Sequence, residues 1–287
     1  LVRDPEKCIL CGRCVAVCRE VQGVKAIDFA WRGLKSRIST YMDLGMGIVA
    51  CTNCGQCALV CPTGAITEKS AIGDVWKALN DPEKVVLVQT APAIRVGIGE
   101  AMGMPYGSLV TGQMVAGLRR LGFSKVFDTN FAADLTIIEE GNELINRIKN
   151  GGILPMITSC SPGWIKFIEH FYPKSLAHLS TCKSPQQMFG AVAKTYYAEK
   201  TGIDPRNIVV VSIMPCTAKK FEARRPEMDG AFHYWKDKLK LTDEDHFYDV
   251  DAVLTTRELA RMFREIGIDF THLPAEQFDN PLGESTG

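Results

Sequence analysis

A chain of 287 residues, 46% of them apolar, has room for one or two domains with a sizeable core. Its 33 basic and 33 acidic side chains cancel, which argues against a nucleic acid or other polyanion as partner, and no apolar run is long enough to span a bilayer. Eleven cysteines are the compositional outlier: most fall before residue 62 in two tight groups, a spacing that suits metal ligation in a reducing, cytoplasmic compartment better than a disulfide framework.

The first group is Cys8-x2-Cys11-x2-Cys14-x3-Cys18, and the second is Cys51-x2-Cys54-x2-Cys57-x3-Cys61, followed by Pro62. This is an internal repeat of the bacterial ferredoxin ligand run, in which the fourth cysteine of each run serves the other cluster. Cys8, Cys11, Cys14 and Cys61 are therefore expected to hold one 4Fe–4S cluster, and Cys51, Cys54, Cys57 and Cys18 the second. Zinc held by four cysteines is the structural alternative, and two x2-x2-x3 runs make it the poorer fit. Arg19 stands where the second run has its proline. Short strands are expected at Asp28-Phe29 and Ala65-Ile66-Thr67, with Val21–Ala50 an insertion relative to a minimal ferredoxin. Residues 1–70 thus read as an α+β, ferredoxin-like domain with two 4Fe–4S clusters. Such clusters bind no substrate; they move single electrons, so another part of the protein must make or consume them.

From residue 71 to 287 the pattern changes to alternating apolar strands and amphipathic helices, an α/β domain with a parallel sheet flanked by helices. Ile72–Asn80 is a helix stopped by Asp81-Pro82. Lys84–Thr90 is a strand broken by Ala91-Pro92. Gly112–Gly122 is a helix, Val126–Thr129 a strand and Leu135–Asn150 a helix. Ile153–Thr158 is expected to be a strand ending near Cys160. Pro162–Tyr172 and Gln186–Thr201 are helices. Ile208–Ile213 is a buried strand running into Met214-Pro215-Cys216. Asp249–Thr255 and Arg257–Gly267 complete the series. Cysteine or proline marks three strand ends, at Ala91-Pro92, Cys160 and Cys216, and that edge is where open α/β sheets place ligands. Asp229–Asp249 breaks the rhythm and reads as a surface insertion whose His233 and His246 are solvated.

Three segments carry a resemblance. Thr158–Trp164 (TSCSPGW), Ser180–Gly190 (STCKSPQQMFG) and Met214–Met228 (MPCTAKKFEARRPEM) resemble the catalytic domain of iron-only (FeFe) hydrogenases, and the likeness runs from the first cysteines to the last residue. The resemblance implies reversible joining of protons and electrons to H2 at an H-cluster, a cubane bridged through one cysteine to a two-iron unit carrying CO and cyanide. Cys216 matches the cubane ligand of the family's MPC segment, Lys219 the lysine that hydrogen-bonds a cyanide, and Met214, Ala91 and Pro92 residues that line the two-iron unit. Gln186 and Ser184 support that pocket. In the family motif TSCCPGW the first cysteine delivers protons and the second ligates the cubane. Here Cys160 takes the shuttle position and Ser161 the ligand position, so either Cys160 takes over ligation or the cubane site is altered.

Glu140, Glu143 and Arg147 share one helical face, and with Ser180 they match the family's proton path. Taken alone, the Glu–Arg spacing is equally that of a solvated pair worth under roughly 1 kcal/mol. Cys182 matches no family role and reads as a buried thiol. Two further cubane ligands of the family lie in a later ExxCxxGC segment absent before Gly287, so the sequence supplies at most two of the four thiolates. Both ends are expected to continue. The resemblance implies the catalytic subunit of a hetero-oligomeric complex served by a redox partner subunit or ferredoxin, with NAD or formate as the linked couple. An electron-transfer subunit with a vestigial hydrogenase domain is the alternative, which Ser161 suits and the intact MPCTAKK does not. A hydrogen sensor or cytosolic iron–sulfur assembly protein is a third reading, opposed by the retained Cys160.

Overall fold

Two glycines in the left-handed region, Gly12 (φ +74°) and Gly55 (φ +78°), turn the two cysteine runs into matching loops. Only a residue without Cβ adopts this conformation freely. Each is followed by one helical turn, Arg13–Ala16 and Gln56–Leu59, which carries the third cysteine of its run inward. The computed structural model describes residues 1–279; residues 280–287, into which the expected second domain runs, lie outside the described residues. The chain divides into two units, one made of Leu1–Lys69, Ile153–Leu179 and Cys216–Phe221, the other of the remaining segments.

In the first unit, β1 (Val2–Arg3) pairs antiparallel with β4 (Ile66–Thr67), and β2 (Asp28–Ala30) with β3 (Arg37–Ser39). β2 and β4 fall where the sequence places short strands, while β3 lies inside the expected insertion. The small core joins Cys14, Cys51 and Cys57 to Val15, Ile27, Met46 and Ile66. Cysteines thus form part of the packing, so this core depends on what the sulfurs bind.

The second unit is built on a four-stranded parallel sheet of β5 (Val85–Thr90), β6 (Lys125–Asp128), β7 (Ile208–Ile213) and β8 (Ala252–Leu254), in the order β6-β5-β7-β8. Leu87, Val88, Val210, Val211 and Ile213 are fully buried, and each such side chain is worth roughly 1.5–3 kcal/mol. Helix Thr111–Leu121 leads into β6, and helices Asn130–Lys149 and Thr256–Glu265 follow β6 and β8. The first stops at Gly122 (φ +105°), and the last starts on a capping box of Thr255 and Glu258.

Several expectations change. Ile153–Thr158 forms no strand: only an isolated parallel bridge joins Ile157 to Leu179. Pro155 has no N–H to give a ladder, and Ile153 and Leu154 are half exposed, so the run lacks the burial a central strand needs. Ile94–Ala101 is a helix that its two glycines hide from propensity; Gly99 lets it approach Val110, whose methyl would lie 3.1 Å from an added Cβ. The helix expected over Gln186–Thr201 runs as Pro185–Val192, a π-turn at Ala193–Tyr197, and Ala198–Thr201. Asp229–Asp249 is more than a surface insertion. It contains the helix Gly230–Lys236, buries Ala231 and Phe232, and ends at a buried Asp249 paired with Lys183. His233 remains exposed, whereas His246 is half-buried; both contact Asp229 Oδ2, at 3.3 and 3.1 Å.

Candidate active site

The sulfurs of the two runs fall into two groups. Cys8, Cys11, Cys14 and Cys61 line one pocket, closed by Arg3, Ile38, Thr63 and Ile66. Cys18 instead acts electrostatically on Cys51 and Cys57, beside Cys54. Burial, then the neighbouring sulfurs Cys51, Cys54 and Cys18, push the Cys57 thiol up to about 12. Burial also raises Cys14 and Cys51. At Cys61 burial is the largest single influence, yet the backbone N–H groups of Ile66, Thr63 and Ala65 and the Thr63 hydroxyl together hold the thiol below its usual range. Thiolates in such places are stabilised by a metal and not by water.

The donor sets fit 4Fe–4S clusters. Asn53 N–H donates to Cys51 Sγ (3.4 Å) and Ala26 N–H to Cys18 Sγ (3.3 Å), the usual support for a ligating sulfur. Asn53 Nδ2 is buried with no protein acceptor, a donor that suits a sulfide. Among the described residues, no three His, Cys, Asp or Glu side chains converge on a single-ion site.

The segment after β7 joins this same unit. Thr217 Oγ1 donates to the Asn53 carbonyl (2.7 Å), and a Cβ on Gly55 would lie 2.6 Å from that hydroxyl. Cys216 is therefore anchored, through its neighbour, to the loop of the second cysteine run. Lys219 Nζ donates to the Cys160 carbonyl (2.9 Å), which ties the MPCTAKK segment to TSCSPGW. Cys160 is exposed and Cys216 half-buried. Ser161 is the N-cap residue of the helix Pro162–Phe171, but its hydroxyl makes no capping bond.

In the second unit, the carboxyl edge of the sheet gathers the other expected residues. Thr90 and Ile213 are paired, Ala91 N–H donates to the Ile213 carbonyl (3.0 Å), and Met214 N–H to the Leu254 carbonyl (2.9 Å). Ala91 and Met214 are buried there, while Pro92 is exposed. Beneath them runs a polar ladder: Thr129 Oγ1 donates to Gln89 Oε1, and Gln89 Nε2 donates to Ser212 Oγ and to the Gln186 carbonyl. Buried Glu222 accepts from Ser184 Oγ (3.0 Å) and Gln186 Nε2 (3.1 Å). Sequence reasoning passed over Gln89, Glu222 and Thr217. Glu222 stands inside the quoted motif, three residues after Lys219, and its place there was the available signal.

Glu143, Arg147 and Ser180 are brought together. Ser180 Oγ donates to Glu143 Oε2 (2.7 Å), Arg147 Nη2 to Oε1 (2.6 Å), and Thr181 N–H to both oxygens. Burial raises the Glu143 carboxyl, but these donors, Ser180 foremost, outweigh it and hold the group below its ordinary value. Glu140 Oε1 is buried without a protein donor. Cys182 is not an inert core thiol: its Sγ lies 3.8 Å from Glu143 Oε2, and its N–H donates to Ser180 Oγ. Burial, then the nearby carboxylates, raise that thiol against the Ser180 bond.

Comparison with known proteins agrees over both units. Residues 84–287 match the family described as iron only hydrogenase large subunit, C-terminal domain, and residues 7–65 match the 4Fe-4S dicluster domain. The chain is similar to the NADP-reducing hydrogenase subunit HndD of Solidesulfovibrio fructosivorans, with 49% identity over 100% of this chain and 48% of that protein. It is 46% identical to iron hydrogenase 1 of Clostridium pasteurianum, again over 100% of this chain and 48% of the relative. The chain thus spans about half the length of these curated relatives. A solved variant of the apo FeFe-hydrogenase HydA1 from Chlamydomonas reinhardtii superposes with a TM-score of 0.66 at 45% identity, covering 76% of this chain and 53% of that one.

Proposed function

The chain belongs to the iron-only hydrogenase family, and from that premise we propose that it carries an electron relay and part of the centre that reversibly joins protons and electrons to H2. The observation that carries this reading is the Thr217–Asn53 bond: it fixes the Cys216 segment on the loop of the second cysteine run, in one unit with Cys160 and Lys219. Cys8, Cys11, Cys14 and Cys61 would hold one 4Fe–4S cluster, and Cys18, Cys51, Cys54 and Cys57 the other. Cys216 would be a thiolate ligand of the H-cluster, which when bound supplies the redox chemistry of dihydrogen. Lys219 is a point-charge donor suited to a small anionic ligand. By the resemblance, Met214, Ala91 and Pro92 would be the residues of the second unit that serve the two-iron group, and in that unit Glu222 holds Gln186.

Cys160 would carry the proton at its Sγ. Glu143, with Ser180 and Arg147, would take protons up from water, and Glu140 would continue the path. Electrons would come from a redox partner subunit or ferredoxin in a hetero-oligomeric complex, as the subunit name of the HndD relative suggests; a cytoplasmic place suits the reducing conditions that these cysteines need. No helix among the described residues is long and apolar enough to cross a membrane. One observation favours a second reading, an electron-transfer subunit with a vestigial centre: Ser161 stands in a ligand position, with a hydroxyl that caps nothing.

Hydrogen evolution by the full-length protein from reduced viologen separates the two. The hydrogenase reading expects turnover that Glu143→Gln lowers by about 10²–10⁴-fold while viologen still reduces the 4Fe–4S clusters. Cluster reduction with no hydrogen from the fully matured protein would leave only the relay.

A further inference from the structure

Lys166 is 3% exposed, a rare setting for an ammonium. It lies on the helix Pro162–Phe171, whose first turn packs on the second cysteine loop; a methyl group built on Gly163 would sit 3.6 Å from the Thr52 carbonyl oxygen. The Lys166 Nζ stands 4.2 Å from the centre of the Phe221 ring, which gives the cation a π face and keeps water off it. Its charge acts on Cys51. The helix also turns its positive end toward the same loop. Among the described residues, the cation lining the first run's pocket is Arg3, and its side chain is more exposed, at 21%.

We propose that Lys166 is a tuning residue that raises the reduction potential of the cluster held by the second cysteine run, making it the better electron acceptor of the two. The proposal rests on the reading of two 4Fe–4S clusters. In the step concerned, one electron leaves the first cluster, which is oxidised, and enters the second, which is reduced and gains one negative charge. No bond forms or breaks and no proton moves. A fixed buried cation stabilises the more negative state, and little water or salt screens it there. Electrons would then collect on the loop to which Cys216 is anchored.

The test is a potentiometric titration of the full-length protein followed by electron paramagnetic resonance, with the second cluster identified as the signal lost in Cys54→Ser. Lys166→Gln is expected to move that cluster's midpoint to more negative potential and leave the first cluster's in place. At a potential that half-reduces the second cluster in the parent, the reduced-to-oxidised ratio should fall on the order of tenfold. Lys166→Arg, which keeps the charge, should restore most of it. Phe221→Leu, which thins the water shield, should give a smaller shift of the same sign and serves if Lys166→Gln fails to take up iron. Two cluster signals with an unmoved second midpoint, or both midpoints moved equally, would overturn the role of Lys166 alone. A parent protein with only one 4Fe–4S signal would overturn the cluster reading with it.

Discussion

The first and second cysteine runs share their spacing and their left-handed glycine, yet they sit in different chemical worlds. Cys8, Cys11 and Cys61 face a pocket that reaches the surface, and backbone N–H groups hold Cys61 below its ordinary range. Cys51 and Cys57 are buried, Cys57 strongly enough to reach about 12, and around them stand Asn53, Thr217 and Lys166. One motif therefore supplies two environments because the second loop is packed by segments that return from residues 153–179 and 216–221. Each run keeps its third cysteine buried and one cysteine exposed, Cys14 with Cys11 and Cys57 with Cys54, so the contrast lies in what packs on the second loop.

The largest expected effect would break the comparison from its inner side. Cys57→Ser removes a core sulfur and a cluster ligand together, so iron analysis should show loss of at least one cluster, and circular dichroism a loosened first unit. Cys11→Ser, at an exposed sulfur, should lose iron with less damage to the fold.

The glycines sharpen the contrast. Either substitution would force a positive φ, but Gly55→Ala also places its methyl 2.6 Å from the Thr217 hydroxyl, whereas Gly12→Ala meets two Phe29 ring carbons at 3.2 and 3.4 Å. Denaturant titration should give about 2–4 kcal/mol for the first and about 1–2 kcal/mol for the second. Equal losses would show that the Thr217 contact has no weight.

Thr217→Val keeps the shape and leaves the Asn53 carbonyl without its donor. We expect a loss of about 1–2 kcal/mol, with faster amide exchange confined to residues 51–57. Exchange that quickens equally at residues 8–14 would contradict the separate packing of the two loops.

The smallest effect lies outside the comparison and serves as its control. Glu143 is held ionised by Ser180 and Arg147, so its folded value is lowered. A lowered carboxylate contributes stability above its unfolded value, and that stability is lost as pH falls through the folded one. The stability gap between the parent and Glu143→Gln should therefore shrink as pH drops below about 4. A gap constant across that range would place the Ser180 and Arg147 bonds elsewhere than on the charged form.

Local pattern made much of this legible. The branched run Ile208–Ile213 forms the strand it promises, and the Cys-x2-Cys-x2-Cys repeats form matching loops. What escaped depends on distant partners. The Thr217–Asn53 bond spans 164 positions, and nothing in either neighbourhood announces it. Lys166 has the look of any surface lysine until Phe221 and the second loop close over it. Ile153–Thr158 has a strand's composition but offers Pro155 where a ladder needs a donor, and so forms a single bridge. The Ile94–Ala101 helix was masked by glycines that its packing demands.

The central claim is that Cys216 and its surroundings serve a hydrogen-forming iron centre. Its most direct test is an infrared spectrum of the full-length protein, matured with a synthetic two-iron complex, in the CO and cyanide stretching region, where no amino acid absorbs strongly. The account predicts bands there that Cys216→Ala abolishes while both 4Fe–4S clusters remain. An empty spectrum from protein that holds both clusters would contradict it and leave a relay alone.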